Sequence, residues 1–169
     1  VYAPRINLMA SIAVAKAIRN LFGLKAELKW PNDVLIEGEK VCGILAEMEA
    51  ETDIIKFVNV GIGINANAAI TQQGVTSIKE QLWRKISRKE LLSFVLKEMK
   101  AQQALLTDED LLQEWKRLSA TLDREVRVIA PGEEIIGKAI DIDTKGGLLI
   151  KERDGSVKVA VAGDCFHLS

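Results

Sequence analysis

The order of apolar and polar residues between positions 24 and 64 predicts a run of β-strands. From residue 24 to residue 30, apolar side chains alternate with charged ones, which is the period of a strand buried on one face. Pro31 has no backbone N–H to donate, so strand pairing should end there. Two further apolar segments, residues 34–36 and 40–49, flank a short Glu/Gly turn and are predicted to form a hairpin.

The segment Ala-Glu-Thr-Asp at 50–53 predicts a second turn, and the segment 54–64 that follows is rich in β-branched residues. Such residues fit the pleated surface of a sheet better than the surface of a helix. The sequence therefore predicts three successive antiparallel strands in the middle of the chain.

Apolar residues with helical spacing occur along the chain both before and after the segment that is predicted to form this sheet. The first helix is predicted over residues 7–22, with Asn7 as its N-cap and Gly23 as the residue after its end. Later in the chain, Ser77 and Ser87 are each followed three positions on by glutamate, which is the pattern of a capping box. We assign the apolar stripes that follow to the core rather than to cofactor contacts, because such stripes normally pack inward.

From Asp123 onward the pattern changes to short alternating runs separated by glycine-containing turns. The predicted strands are residues 126–130, 134–142, 148–151, 157–161 and 165–168. Five short strands with tight turns predict a small antiparallel barrel. The chain is therefore predicted to be of the α+β class, with two domains. Residues 1–122 would form a mixed or antiparallel sheet packed with helices, and residues 123–169 would form the barrel.

Composition excludes several classes of function. The chain has 23 basic and 24 acidic residues, so its net charge of −1 provides no long-range field for nucleic acid or an anionic membrane. Cys42 and Cys165 lack metal-ligand spacing and are expected to be free thiols in a reducing compartment. No apolar run approaches the ~18 residues that span a bilayer. We expect a soluble, cytoplasmic protein with neither nucleic acid nor membrane as its partner.

Candidate chemistry lies at the ends of the middle strands. Residues 29–33, Lys-Trp-Pro-Asn-Asp, present an amide and a carboxylate, and Lys40 follows the hairpin turn. Together with Gly-Ile-Gly-Ile-Asn at 61–65, these groups could hold a phosphate and a metal ion. Taken alone, Asn32 and Asp33 would equally suit an ordinary turn, and Lys40 would be a solvated lysine after a hairpin.

The glycines at 61 and 63 formally match the fingerprint of a dinucleotide-binding site. That fingerprint requires a helix that begins directly on the glycines and a parallel second strand that carries an acid. Here the neighbouring strands are predicted to be antiparallel, and residues 67–71 are a weak helix opening. We therefore disfavour a dinucleotide site.

The combination of motifs resembles the catalytic core of the biotin protein ligases. It consists of Trp-Pro-Asn-Asp at 30–33, Lys40 within the segment Lys-Val-Cys-Gly-Ile-Leu-Ala-Glu, and Gly-Ile-Gly-Ile-Asn at 61–65. The barrel, with its Gly-Gly-Leu-Leu at 146–149, resembles the SH3-like C-terminal domain of the same family. The resemblance implies a catalytic domain of the class II synthetase type followed by a small SH3-like β-barrel.

The resemblance also implies an activity, that of a biotin–[acetyl-CoA-carboxylase] ligase. Such an enzyme joins biotin to ATP, releases pyrophosphate, and transfers the biotinyl group from biotinyl-AMP to a lysine of a biotin carboxyl carrier domain. Lys40 would be the catalytic cation between the biotin carboxylate and the α-phosphate, because two anions must meet there. Mg²⁺ would lie at Asp33. Contacts to ATP or the adenylate would come from Lys29, Trp30, Asn32 and Asn65, and contacts to biotin from Lys40, Gly43, Ile44 and Leu45.

Two side chains keep a structural role as an alternative or as the main expectation. Trp30 could be a core residue or a wall for the adenine ring, and the pattern leaves both roles open. His167 is expected to lie at the surface or in a satisfied structural position.

The chain departs from the family in what precedes its first helix. Biotin protein ligases carry an upstream arginine- and glycine-rich loop that closes over biotin, and here only residues 1–6 precede the predicted helix. We expect the 169 residues to lack part of the site and to be weakly active alone. Uncovered sheet edges would then favour a homodimer or pairing with a missing N-terminal segment.

Two other functions are compatible with these motifs. One is a related acyl-adenylate enzyme such as a lipoate ligase, although the motif spelling favours biotin. The other is a non-catalytic ligase-like module that binds another protein.

Overall fold

The computed structural model describes residues 3–51 and 54–168. The helices in these ranges are α1 (Ala3–Phe22), α2 (Ile78–Leu82), α3 (Arg88–Gln103) and α4 (Glu109–Leu118). The strands before α2 are β1 (Ala26–Lys29), β2 (Asp33–Ile36), β3 (Glu39–Glu51) and β4 (Ile54–Ile64). The strands after α4 are β5 (Glu125–Ala130), β6 (Glu133–Ile142), β7 (Leu148–Lys151), β8 (Val157–Ala160) and β9 (Asp164–His167).

The first sheet has the order β1-β2-β3-β4, and every neighbouring pair is antiparallel. The predicted hairpin and the three successive antiparallel strands are therefore confirmed. In β1 the side chains of Ala26 and Leu28 are buried and alternate with half-buried ones, as the period-two pattern predicts. The turn predicted at residues 50–53 lies partly outside the described residues.

Helix α1 packs on this sheet and begins earlier than the sequence predicts. It starts at Ala3, so Asn7 lies inside the helix and its assignment as the N-cap is wrong. Pro4 does not prevent the earlier start, because proline is tolerated in the first turn, where its missing N–H would be unpaired anyway. The predicted end is confirmed, since Gly23 has φ +69° and its N–H donates to the Arg19 carbonyl at 2.9 Å.

The later helices carry the capping residues that the sequence predicts. Ser77 and Glu80 form both halves of a capping box at α2, and Ser87 accepts the Glu90 N–H at 3.2 Å at the start of α3. In α3 the predicted core stripe is only partly correct, because Leu92 faces solvent while Leu91 is buried. Among the described helices, none is long and apolar enough to cross a membrane.

The second sheet has the order β8-β7-β6-β5-β9, again with antiparallel pairs throughout. Its five strands agree with the predicted ones to within one residue at each end. Inward side chains such as Val126, Val128, Ile135 and Ile150 are fully buried, so this small barrel has a core of its own.

The barrel is joined to the first sheet through the turn between β6 and β7. The indole N–H of Trp30 donates to the Gly146 carbonyl at 3.1 Å, and the Arg5 guanidinium donates to the Thr144 carbonyl at 2.9 Å. Gly146 has φ +92°, and a Cβ there would lie 3.1 Å from the Pro4 side chain. The turn is thus packed tightly against α1. The domain boundary at residue 122 stays a prediction.

Candidate functional site

One face of the first sheet is open, and glycines leave its backbone bare. Gly43 pairs with Gly63 and Leu45 pairs with Gly61 across β3 and β4. Leu45 is 58% exposed, whereas the alternate residue Ile44 is buried on the opposite face among the helices. A ligand can therefore approach the backbone of this open face closely, because the glycines carry no side chains.

Lys40 and Asp33 form an ion pair at one end of the open face. The Lys40 Nζ lies 2.6 Å from the Asp33 Oδ1, and the lysine side chain is 44% exposed. Gly43 is the Cα partner of Asp33, and a Cβ there would lie 3.2 Å from both Cε and Nζ of Lys40. The lysine side chain therefore passes directly over Gly43, and its ammonium group is held on the open face by the carboxylate.

The turn after β1 is tied to β3 by Asn32. Its side-chain amide donates to the Ile44 carbonyl at 2.7 Å, and the Ile44 N–H donates to the Asn32 carbonyl at 2.9 Å. Asp33 follows directly, so these bonds determine where the carboxylate stands relative to Gly43. Asn32 is thus a positioning residue in this structure.

The loop at residues 74–76, which no sequence motif indicated, lies against Lys40. The Lys40 N–H donates to the Gly74 carbonyl and its carbonyl accepts from Thr76, both at 2.9 Å, which makes an isolated parallel bridge with Val75. The side-chain amide of Asn65 donates to the Thr76 carbonyl at 3.1 Å. Residues 74–76 and the end of β4 therefore form a second wall of the site. Only a polar loop is evident there in the sequence, so no motif indicated it.

The thiols of Cys42 and Cys165 are buried, and charged residues near the site shift the pKa of each. Burial raises the pKa of Cys42 to about 12, and the Asp33 charge adds to this. Burial likewise raises the pKa of Cys165 to about 11, although the charge of Lys29 opposes the rise. Both cysteines are free, as expected, and the neutral thiol is a poor nucleophile. Both thiols are therefore neutral in the folded protein at physiological pH.

Two family models match the chain. The "Biotin/lipoate A/B protein ligase family" matches residues 2–65, and the "Biotin protein ligase C terminal domain" matches residues 121–168. The chain belongs to the biotin protein ligase family. Together the two matches take in the open face with its Lys40–Asp33 pair and the whole second sheet.

Individual relatives agree with this membership. The chain is 32% identical over 167 residues to the "Bifunctional ligase/repressor BirA" of Bacillus subtilis, which covers 92% of this chain and 51% of that protein. It is 33% identical over 171 residues to the "Biotin--[acetyl-CoA-carboxylase] ligase" of Mycobacterium tuberculosis, covering 96% of this chain and 62% of that protein. The chain spans about half the length of the BirA relatives that it matches.

A solved member of the family has the same fold. The "Biotin protein ligase from Aquifex aeolicus in complex with biotin and ATP" superimposes with a TM-score of 0.85 at 26% identity. The superposition covers 99% of this chain and 73% of that structure. The predicted fold, an α+β ligase domain followed by an SH3-like barrel, is confirmed.

Within this ligase fold, the structure brings some of the predicted site residues together and separates others. Lys40, Asp33 and Gly43 meet at one point, and Leu45 lies farther along the same open face. Ile44 does not join them, because its side chain is buried and its N–H and carbonyl are both bonded to Asn32. The structure thus gives Ile44 a structural role, and its contact with biotin stays a prediction.

Trp30 lies in the core. Its side chain is 1% exposed, and its ring N–H is bonded to the barrel, so neither ring face is open to an adenine. Of the two roles that the sequence left open, the structure supports the core role. Lys29 pairs with Asp33 in the β1–β2 register, and its charge lowers the pKa of His167, so it lies near β9. Its contact with ATP stays a prediction.

His167, the one histidine of the chain, stands in a structural position. Its Nε2 lies 3.0 Å from the Thr121 hydroxyl, and Thr121 also accepts the Trp30 backbone N–H. Burial, helped by the charges of Lys29 and Arg124, lowers the pKa of His167 to about 4. The imidazole is therefore neutral in the folded protein at physiological pH.

The lowered pKa of His167 predicts a loss of stability in acid. Between pH 6.5 and 4 the unfolded chain binds a proton at this residue and the folded chain does not, so unfolding is favoured as the pH falls. We expect the free energy of unfolding, measured by urea denaturation at several pH values in this range, to fall less steeply with decreasing pH in His167→Gln than in the wild type. The difference between the two slopes should be at most about 1.4 kcal/mol per pH unit. Equal slopes for the two proteins would contradict the assignment of a neutral buried histidine.

Proposed function

We propose that the open face of this chain takes part in biotin protein ligase chemistry: ATP-dependent formation of biotinyl-AMP and transfer of biotin to a lysine of a biotin carboxyl carrier domain. The observation that carries the proposal is the Lys40 ammonium group, held over Gly43 at 2.6 Å from Asp33. Family membership and the fold shared with a ligase solved with biotin and ATP support the same chemistry.

In the first step a carboxylate oxygen of biotin attacks the α-phosphorus of ATP, and pyrophosphate leaves. Two anions must come together for this bond to form, and the Coulomb repulsion between them is large wherever water is excluded. The Lys40 ammonium group is the cation that offsets this repulsion. Its ion pair with Asp33 holds the ammonium group in place, so little reorganisation is needed when the reaction occurs.

In the second step the amine of the carrier lysine attacks the carbonyl carbon of biotinyl-AMP. An amide bond forms, the bond from carbon to the phosphate oxygen breaks, and AMP leaves after the amine gives up a proton. Negative charge moves onto the carbonyl and phosphate oxygens during this step. The same Lys40 ammonium group stabilises that charge through charge-assisted hydrogen bonds.

The described residues do not form a resident metal centre. Nowhere in residues 3–51 and 54–168 do three His, Cys, Asp or Glu side chains lie close enough together to hold a metal ion. The Asp33 Oδ1 is already bound by Lys40. Mg²⁺ would therefore enter the site bound to the phosphates of ATP. Its contact with Asp33 stays a prediction. We place the reaction in the cytoplasm, where ATP is available and thiols remain reduced.

Binding of adenylate analogues tests the choice of substrate. A non-hydrolysable analogue of biotinyl-AMP should bind this chain with a lower Kd than the corresponding lipoyl-AMP analogue when both are titrated by calorimetry. Biotin has a compact fused ring with a polar ureido group, whereas lipoate carries a dithiolane, so the two acyl groups need different polar contacts. Equal binding, or preference for the lipoyl analogue, would favour a lipoate-ligase-like enzyme instead.

Substitution of Gly43 tests the geometry of Lys40. In Gly43→Ala the new Cβ would lie 3.2 Å from Cε and Nζ of Lys40, so the lysine must move off its present position. Because misplacing a catalytic group by about 1 Å costs up to a hundredfold in rate, a displacement of a few tenths of an ångström should lower biotin-dependent ATP–pyrophosphate exchange by up to about tenfold. In a Lys40→Ala background the same change should have little further effect. Additive losses would contradict a shared role.

A further inference from the structure

An exposed tryptophan stands at the end of α2, in a conformation that glycine would adopt with less strain. Trp83 is the C-cap of α2 with φ +56°, and its side chain is 94% exposed. A left-handed backbone is unfavourable for a bulky residue, and a fully exposed indole gains almost nothing from packing. Folding therefore does not account for a tryptophan at this position, whereas contact with a partner does.

Four cations follow this tryptophan within six residues. We call Trp83, Arg84, Lys85, Arg88 and Lys89 the basic ridge. All five side chains are exposed. The ion pairs formed within the described part of the chain involve other residues and leave the ridge cations unneutralised. In a chain whose net charge is −1, the ridge is a local concentration of positive charge.

The basic ridge is anchored firmly beside the site. The Asn67 side chain donates to the Ile86 carbonyl and accepts the Ile86 N–H, both at 2.9 Å, and the Ile86 side chain is buried. A cavity of about 730 Å³ is lined by Asn65, Lys85 and Arg88 among others. The ridge cations thus share this cavity with Asn65, the residue that follows β4.

On its other side the basic ridge borders a second cavity. This cavity, of about 750 Å³, is lined by Trp83, Thr76 and the acidic residues Glu39 and Glu80, among others. Thr76 is the residue whose N–H donates to the Lys40 carbonyl. The ridge therefore lies beside the loop that is hydrogen-bonded to the backbone of Lys40.

We propose that the basic ridge is the docking surface for an acidic face of the protein whose lysine accepts biotin. The inference rests on the proposed function. Tryptophan and arginine are the residues that most often dominate the affinity of protein interfaces. Unpaired cations around such an anchor attract an acidic partner over a distance and orient it. A single aromatic ring would not provide the row of stacking surfaces by which single-stranded nucleic acid is bound.

Direct binding of a biotin carboxyl carrier domain to the 169-residue chain tests the docking surface. Trp83→Gly and the double variant Arg84→Glu/Lys85→Glu should each raise the Kd at least tenfold, and the wild-type Kd should rise with salt. Lys97→Glu, which reverses an exposed charge on α3, is the matched control and should leave the Kd unchanged. Trp83→Gly should fold at least as well as the wild type, because glycine adopts φ +56° without strain.

The possible outcomes separate this inference from the proposed function. The docking proposal would be contradicted if the carrier domain bound the wild type and both ridge variants with equal Kd values. It would also be contradicted if the carrier domain did not bind the wild type. Binding of a single-stranded oligonucleotide that the ridge variants abolish while carrier binding persists would contradict it as well. The proposed function is judged separately, by binding of the biotinyl-AMP analogue to the wild-type chain.

Discussion

Replacing Lys40 with alanine is expected to lower the rate of biotin-dependent ATP–pyrophosphate exchange by a factor of hundreds, equivalent to about 3 to 4 kcal/mol of transition-state stabilisation. The reason is the position of the ammonium group, which lies at the open face, paired with Asp33 at 2.6 Å and directly over Gly43. Transfer of biotin from preformed biotinyl-AMP to the carrier should fall as well. The free energy of unfolding should also fall, because the Asp33 carboxylate, only 16% exposed, loses the cation that is paired with it.

Two control variants, Lys97→Ala and Lys40→Arg, show whether the loss of rate is specific to the ammonium group of Lys40. Lys97→Ala removes an exposed lysine from α3 and should leave the exchange rate unchanged. Lys40→Arg keeps the charge but has a planar head group, so it should restore only part of the rate. An unchanged rate in Lys40→Ala, with wild-type binding of the carrier, would favour a non-catalytic binding module over a ligase.

Replacing Trp30 with alanine is expected to have the largest effect on stability, about 3 to 5 kcal/mol, because a fully buried indole leaves a cavity. Trp30→Phe retains most of the apolar volume but loses the N–H that donates to the Gly146 carbonyl. Since a buried acceptor left without a partner is costly, this variant should lose about 1 to 3 kcal/mol. Urea denaturation measures both values.

The exposed tryptophan provides the comparison for Trp30. Trp83→Ala removes a side chain of the same size that is 94% exposed, so the free energy of unfolding should change by no more than about 0.5 kcal/mol. If Trp30 were a wall for adenine, Trp30→Phe would raise the KM for ATP and leave the midpoint of unfolding unchanged. That result would contradict the core role.

The boundaries of the strands were largely predictable because each depends on local signals. Alternating side chains, a proline after β1 and glycines at the turns are all visible in the sequence, and the barrel strands agree with them to within one residue. The start of α1 was missed, because Asn7 is a good N-cap in isolation and Pro4 can equally stand in a first helical turn. Local preference could not choose between the two.

The candidate site was predictable only in part, because residue types do not specify faces and partners. Lys40, Asp33 and Gly43 were identified through a motif, and the structure brings them together. Ile44 belongs to the same motif, yet it points to the other face because side chains alternate along a strand. Val75 was not predicted to be near the site, because its backbone bridge to Lys40 depends on the path of a loop.

The class of fold and the order of its helices and strands could be predicted from the sequence without any structure, as could the candidate site residues. These follow from periodicities, caps and turns that act over a few residues, and from motif residues close together along the chain. Three features emerged only from the folded chain: Asp33 holds Lys40, Trp30 joins the sheet to the barrel, and the basic ridge lies beside the loop that is bonded to the Lys40 backbone. Each of these depends on contacts between segments far apart in sequence, which are set by packing and not by local preference.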